Sequence, residues 1–185
     1  MGLRHASIVG ENARVDTSWH IRNAQPGDAS TLVRLIGELA EFEKLSHLVQ
    51  VTPQALSQHL FGPQPAAHAL LAHAAATPDT PVVAFALYFT NFSTFLGRPG
   101  LYLEDLYVQP PWRGRGLGRA LLRHLGALAV ERGCGRFEWS VLDWNEKAIA
   151  FYEKMGATVL PDWRICRVTG DALQTLASSG GEVRP

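Results

Sequence analysis

Cysteine is scarce: Cys134 and Cys166 are the only two in 185 residues. They form no Cys-x-x-Cys pair, which rules out a disulfide scaffold and fits reduced thiols in an intracellular protein. Cys134, between Gly133 and Gly135, reads as a small buried cysteine rather than a nucleophile. A surplus of either charge sign is also missing, since seventeen basic residues meet seventeen acidic ones. That balance argues against nucleic-acid binding, which needs a cationic surplus or a basic stripe to neutralise phosphates. Trp112 and Trp139 could stack on a base, but no such stripe accompanies them. No apolar run approaches the roughly 18 residues of a membrane span. The longest, Val82 to Tyr88, suits a buried strand. The first twenty residues contain Arg4, Glu11, Arg14 and Asp16 and no apolar leader core. A soluble, cytoplasmic protein without membrane or nucleic-acid partners is expected. The seven histidines are scattered, without His-Glu-x-x-His or Cys/His ligand spacing, so no metal is expected. A Gly-x-Ser-x-Gly elbow is absent as well.

What remains is ordinary globular composition, 46% hydrophobic and 18% charged. The length suits one domain with tails. We divide it into a flexible tail over 1–17, a single domain over 18–177 and a frayed end over 178–185. Ser18 to Asn23 reads as a first strand. Asp28 is placed to cap a helix whose apolar face repeats at Leu32, Leu35, Ile36, Leu39 and Phe42. Thr52-Pro53 starts a second helix, to about Leu60. His68–Ala74 and Val82–Phe89 read as a hairpin, and Gly97-Arg98-Pro99-Gly100 as a further turn. Leu101 to Val108 is a strand on which Glu104 and Asp105 face opposite sides by simple alternation. Leu117, Leu121, Leu125 and Leu128 stripe a helix, and Arg136 to Leu142 is a strand. Asn145 caps a helix ending near Gly156, Trp163 to Val168 is a last strand, and Asp171 caps a short helix. This order predicts an α/β fold: a mixed, mostly antiparallel central sheet flanked by helices.

The most informative segment is Val108-Gln109-Pro110-Pro111-Trp112-Arg113-Gly114-Arg115-Gly116-Leu117-Gly118-Arg119. A strand ends, glycines fall at alternate positions, and an apolar helix begins. Glycines there let backbone N–H groups converge, and the helix start favours an anion. Arg113, Arg115 and Arg119 add positive charge. This is the physics of a pyrophosphate cradle, against the plainer reading of a surface turn with solvated arginines. A dinucleotide fingerprint would need glycine where Arg119 stands, and no Walker A string occurs.

Arg113-Gly114-Arg115-Gly116-Leu117-Gly118 matches the Arg/Gln-x-x-Gly-x-Gly/Ala acetyl-CoA signature of the GNAT N-acetyltransferases. Leu101-Tyr102-Leu103-Glu104-Asp105-Leu106-Tyr107-Val108 resembles the equivalent strand of the diamine (spermidine/spermine) or thialysine acetyltransferase branch. So do Trp144-Asn145-Glu146 with Phe151-Tyr152-Glu153-Lys154-Met155-Gly156-Ala157, and the helix Arg34 to Glu43. The resemblance spans about Trp19 to Leu176 and implies the GNAT fold. It also implies acetyl-CoA as co-substrate and a homodimer whose C-terminal strands meet or swap. By the same resemblance, Leu106, Tyr107 and Val108 would hold the pantetheine arm. Arg113, Gly114, Arg115, Gly116, Leu117, Gly118 and Arg119 would hold the pyrophosphate, and Asn145, Ala148 and Tyr152 would lie along the cofactor. Tyr152 would be the general acid, and Glu104 would help deprotonate the amine. Phe42, Glu43, Glu104, Asp105, Glu138 and Trp163 would line the amine site. Two departures stand out: Phe42 replaces a tyrosine of the branch, and Glu138 a histidine. The loop from Asn91 to Gly100 also looks longer, placed to close a small pocket.

The residues speak for themselves only in part. Acetyl transfer needs an amine without its proton, donors at the carbonyl oxygen and a proton for the thiolate. Tyr152, seven residues after Asn145, shares its helix face, and a phenol stays protonated at neutral pH. A core aromatic reading stands beside that one. Glu104 reads as an ion-pair partner, a solvent-facing residue or a base in a cleft. Glu41, Glu43, Glu104, Glu138 and Asp162 would together attract a cation. Direct transfer to a small cationic amine in a ternary complex is expected. The alternatives are acetylation of a protein lysine or N-terminus, and a non-catalytic CoA-binding sensor.

Overall fold

The computed structural model describes residues 19–178. The tail expected over 1–17 lies outside them, as does that over 178–185 apart from Ser178. The chain divides into two compact units, one ending at Ser140 and one beginning at Val141.

The first unit is built on a sheet in the order β1-β2-β3-β4-β5: Ile21–Asn23, His68–His73, Val82–Ser93, Arg98–Val108 and Phe137–Trp139. The first four strands pair antiparallel, and β4 and β5 pair parallel. The expected β2–β3 hairpin is present, running from His68↔Tyr88 to His73↔Val82. Two expectations need correction. Gly97-Arg98-Pro99-Gly100 is not the turn, and Asn91–Gly100 is not a pocket-closing loop. Asn91, Phe92 and Ser93 pair with Gly100, Pro99 and Arg98, so both strands run on to a tight turn at 94–97. Gly97 takes a φ of 60° there, which its missing Cβ permits. β5 is shorter than the expected Arg136 to Leu142, because only Phe137, Glu138 and Trp139 find partners on β4.

Helices α1 (Ala29–Phe42) and α2 (Pro53–Phe61) cover one face of the sheet. Leu32, Leu35, Leu39, Leu56 and Leu60 meet Ala69, Leu71, Phe85 and Tyr107 in one buried cluster. Truncating a leucine in such a cluster to alanine costs about 2–5 kcal/mol. Helix α3 (Leu117–Glu131) packs against β2, β3 and β4, burying Leu117, Leu121, Leu122 and Leu125. Thr52 caps α2 as expected, its Oγ1 accepting from Ala55 N–H at 3.2 Å. Asp28 differs from expectation: its carboxylate accepts from Gln25 N–H and pairs with Arg22 instead of capping α1. Both strong partners hold its pKa below the usual carboxylate range, the Arg22 bond foremost. Cys134 is half-buried rather than buried.

The second unit contains α4 (Glu146–Lys154) and α5 (Gly170–Ser178). Asn145 caps α4 as expected, with Oδ1 accepting from Ala148 N–H at 3.3 Å. Gly156, φ 95°, ends it: Gly156 N–H bonds Glu153 O, and Ala157 N–H bonds Tyr152 O. The expected strand Trp163 to Val168 has no regular secondary structure. A strand exists only by pairing, and the described residues of this unit offer no strand to pair with.

Candidate active site

Three features coincide at the middle of β4. Leu87 pairs with Asp105 and Tyr88 with Leu103, so Glu104 is an extra residue, a β-bulge. The bulge resets the alternation of faces. Tyr102 stacks on Phe89, which lies on the α1 face with Phe85, and Tyr107 belongs to the α1–α2 cluster. Residues five apart share a face only because one residue was inserted between them. Glu104, two residues after Tyr102, and Asp105, two before Tyr107, therefore both stand on the α1 face. The expectation that they point to opposite sides is corrected by the bulge. The β4–β5 ladder also stops here, at Leu103↔Trp139. Beyond it, Asp105 to Val108 pair with β3 on one edge only. Alternation turns the peptide groups of Leu106 and Val108 to the open edge, since Gln109 N–H bonds Val83 O on the β3 side.

The carboxylates interact. Asp105 is half-buried, and its pKa is pushed up to about 6, by desolvation first, then by the charges of Glu104 and Glu43. Burial also raises Glu43, the C-cap residue of α1. Lys44 follows with φ 62°, Lys44 N–H bonding Glu41 O and Leu45 N–H bonding Ala40 O. This left-handed helix end points the chain away just past Glu43, using a residue that pays for the conformation where glycine would not. The close of α1, invisible in the sequence for want of a glycine, is thus what sets Glu43 beside Asp105.

β4 leads directly into the glycine turn. Gly114 and Gly116 have φ of 74° and 90°, and a Cβ on either would meet nothing within 4 Å. Gly116 is the N-cap of α3, so Leu117, Gly118 and Arg119 occupy its first turn with N–H groups that lack intrahelical partners. The open inner surface and these donors fit a pyrophosphate. Arg113 and Arg115 are not simply solvated. The Arg115 guanidinium lies 4.9 Å over the ring of Trp112, which meets Trp19 edge-on. Arg113 Nε donates to Val108 O at 2.8 Å, and its guanidinium sits 4.6 Å over the Phe42 ring and 5.5 Å over that of Tyr107.

The sequence reading missed the network behind Tyr107. Gln109 Nε2 donates to both oxygens of Glu38, at 3.1 and 3.0 Å, and Arg34 pairs with the same carboxylate. Burial raises the pKa of Tyr107, and the charge of Glu38 adds to it against the opposing pull of Arg113. The Arg34/Glu38 spacing of four was the available signal. Glu138 stands opposite Tyr102 on β5. Its Oε2 lies 2.8 Å from Arg136 Nε and accepts from Asn91 Nδ2 at 3.1 Å, so its charge is already balanced. In the second unit, α4 carries Ala148 and Tyr152, with Asn145 at its cap and the Tyr152 ring 5.3 Å from that of Phe151. Trp163 is 75% exposed. Among the described residues, no group of three or more His, Cys, Asp or Glu is arranged to hold a metal. Nor is any helix there long and apolar enough to cross a membrane.

A strand with one open edge, running into a glycine turn at a helix start, makes a site for a phosphate-bearing ligand. The chain belongs to the acetyltransferase (GNAT) family, whose sequence profile matches residues 37–157, and it is an N-acetyltransferase enzyme. Members of this family use acetyl-CoA. The chain is 40% identical to the thialysine N-epsilon-acetyltransferase of Sus scrofa, over 85% of this chain and 96% of that one. It is 37% identical to the L-ornithine N5-acetyltransferase NATA1 of Arabidopsis thaliana, over 84% and 86% of the respective chains. An integron cassette protein from the mobile metagenome of V. cholerae superposes with a TM-score of 0.71 at 26% identity. That match covers 88% of this chain and 99% of the other.

Proposed function

We propose that residues 18–177 act as one domain that acetylates a small cationic amine: a polyamine, a diamine, or a lysine-like amino acid such as thialysine. The observation that carries this reading is the coincidence on β4 of the bulge, the open edge and the carboxylates of Glu104 and Asp105, with Glu43 facing them. Acetyl-CoA supplies the thioester acyl group. The peptide groups of Leu106 and Val108 align its pantetheine arm along the open edge, and the turn from Gly114 to Arg119 receives the pyrophosphate. The acidic triad draws in the ammonium group. Asp105, pushed up to about 6 by burial and by the neighbouring charges of Glu104 and Glu43, is ionised above that pH and able to take the amine's proton with Glu104 beside it. The neutral amine then attacks the carbonyl, the C–N bond forming as the C–S bond breaks. Tyr152 gives its phenolic proton to the departing thiolate, and the proton shed by the acylated nitrogen restores the phenol through solvent. Phe42, Glu138 and Trp163 complete the amine site in this reading.

Release of free CoA from acetyl-CoA tests this reading against spermidine, spermine, putrescine, 1,3-diaminopropane, lysine, thialysine, ornithine and a lysine-containing peptide. Saturable turnover on a small amine is expected. Turnover on the peptide alone would move the substrate to proteins, and CoA binding without turnover would indicate a sensor. The same reading includes a cytoplasmic homodimer joined through the C-terminal segments. The exposed apolar side chains of Leu160, Trp163 and Ile165, at 57%, 75% and 70%, support the association through these segments. Light scattering at twice the chain mass is the expected result.

A further inference from the structure

Arg113 opens the glycine turn, yet its side chain reaches toward the amine side. Nε donates to Val108 O at 2.8 Å, on the open edge of β4. The guanidinium lies 4.6 Å over Phe42, the last residue of α1, and 5.5 Å over Tyr107. Tyr107 is held in turn beside Glu38, which Gln109 and Arg34 grip from two sides. One side chain thus joins the end of β4, the start of the turn and the end of α1, next to Glu43. Phe42 itself is 41% exposed, so the guanidinium supplies a cover that the core does not. Only a planar fork can donate along one edge while lying flat on a ring; a lysine ammonium makes one contact or the other.

Building on the proposed amine acetylation, we infer that Arg113 is a positioning residue for the amine. It clamps Phe42, and through it Glu43, against Glu104 and Asp105 of β4. This differs from a role in holding pyrophosphate, and the two roles separate kinetically. Steady-state parameters are measured for Arg113→Lys and Arg113→Met with thialysine and with spermidine, alongside CoA affinity by calorimetry. Both variants are expected to raise the amine KM about fivefold, the scale of an exposed cation–π contact, with kcat little changed. CoA affinity should move by less than about twofold. Phe42→Leu should raise the amine KM similarly, and the Arg113→Met/Phe42→Leu double variant should go no higher, because the two residues act as one unit. CoA affinity falling about tenfold with the amine KM unmoved would overturn the inference in favour of pyrophosphate binding. Full rescue by lysine, or additive effects in the double variant, would overturn it too. Wild-type protein inactive on every amine would instead sink the underlying amine reading, an outcome visible before any variant is made.

Discussion

Asp105→Asn is expected to stabilise the protein, and to do so only where the carboxyl ionises. The native pKa of Asp105 is about 6 against an ordinary 3.8. At about 1.36 kcal/mol per unit the gap is worth about 3 kcal/mol. Half-burial leaves water to screen part of it, so a gain of about 2 kcal/mol is expected. The sign follows from linkage: the native state binds this proton more tightly than the unfolded chain does. Below pH 3.8 both states are protonated and the residue costs nothing. Between 3.8 and about 6 the cost grows, and above 6 it is complete. Urea unfolding followed by tryptophan fluorescence at pH 4, 6 and 8 reads the effect. The variant's midpoint should exceed wild type only slightly at pH 4, clearly at pH 6 and most at pH 8. An equal shift at all three, or a less stable variant at pH 8, would refute the reasoning. Such a carboxylate, destabilising at the working pH, is expected where activity rather than folding sets the residue.

If Tyr152 is the proposed acid, Tyr152→Phe should lower kcat about a hundredfold with CoA affinity little changed, since the ring contact with Phe151 survives; unchanged turnover would remove Tyr152 as the acid. Gly116→Ala should cost about 1–2 kcal/mol of stability and weaken CoA binding, since φ 90° strains any side chain. Gly27→Ala, at ordinary φ and with open space, is the matched control for thermal denaturation and CoA titration. Lys44→Gly should gain up to about 1 kcal/mol in urea unfolding by relieving the left-handed end of α1; a loss would show that Lys44 makes a compensating contact.

Much of the architecture was legible because periodicity and turn chemistry are local. The leucine stripe of α1, the Thr52-Pro53 start of α2 and the glycine turn before α3 each announce themselves within a few residues. The site was legible only as a list. Alternation placed Glu104 and Asp105 on opposite faces, and nothing in Tyr102-Leu103-Glu104-Asp105 signals a bulge. The inserted residue is defined by the register against Leu87 and Tyr88, a non-local fact. Likewise Arg113 read as a phosphate cation because its neighbours in sequence are glycines, while its neighbours in space are Phe42 and Tyr107. Glu138 read as an acid of the amine site, and on β5 it is engaged by Arg136 and Asn91. The segment Trp163 to Val168 has the composition of a strand, and composition without a partner does not make one.

The most direct measurement is the pH dependence of kcat/KM for the preferred amine in wild type, Asp105→Asn and Glu104→Gln. If the paired carboxylates accept the amine's proton, the wild-type profile rises through an apparent pKa near 6. Asp105→Asn then removes that limb, whereas Glu104→Gln lowers it only in part, because burial, the larger cause of the raised Asp105 pKa, remains. A limb that stays near 6 in both variants would place the proton acceptor elsewhere and contradict the account of this site.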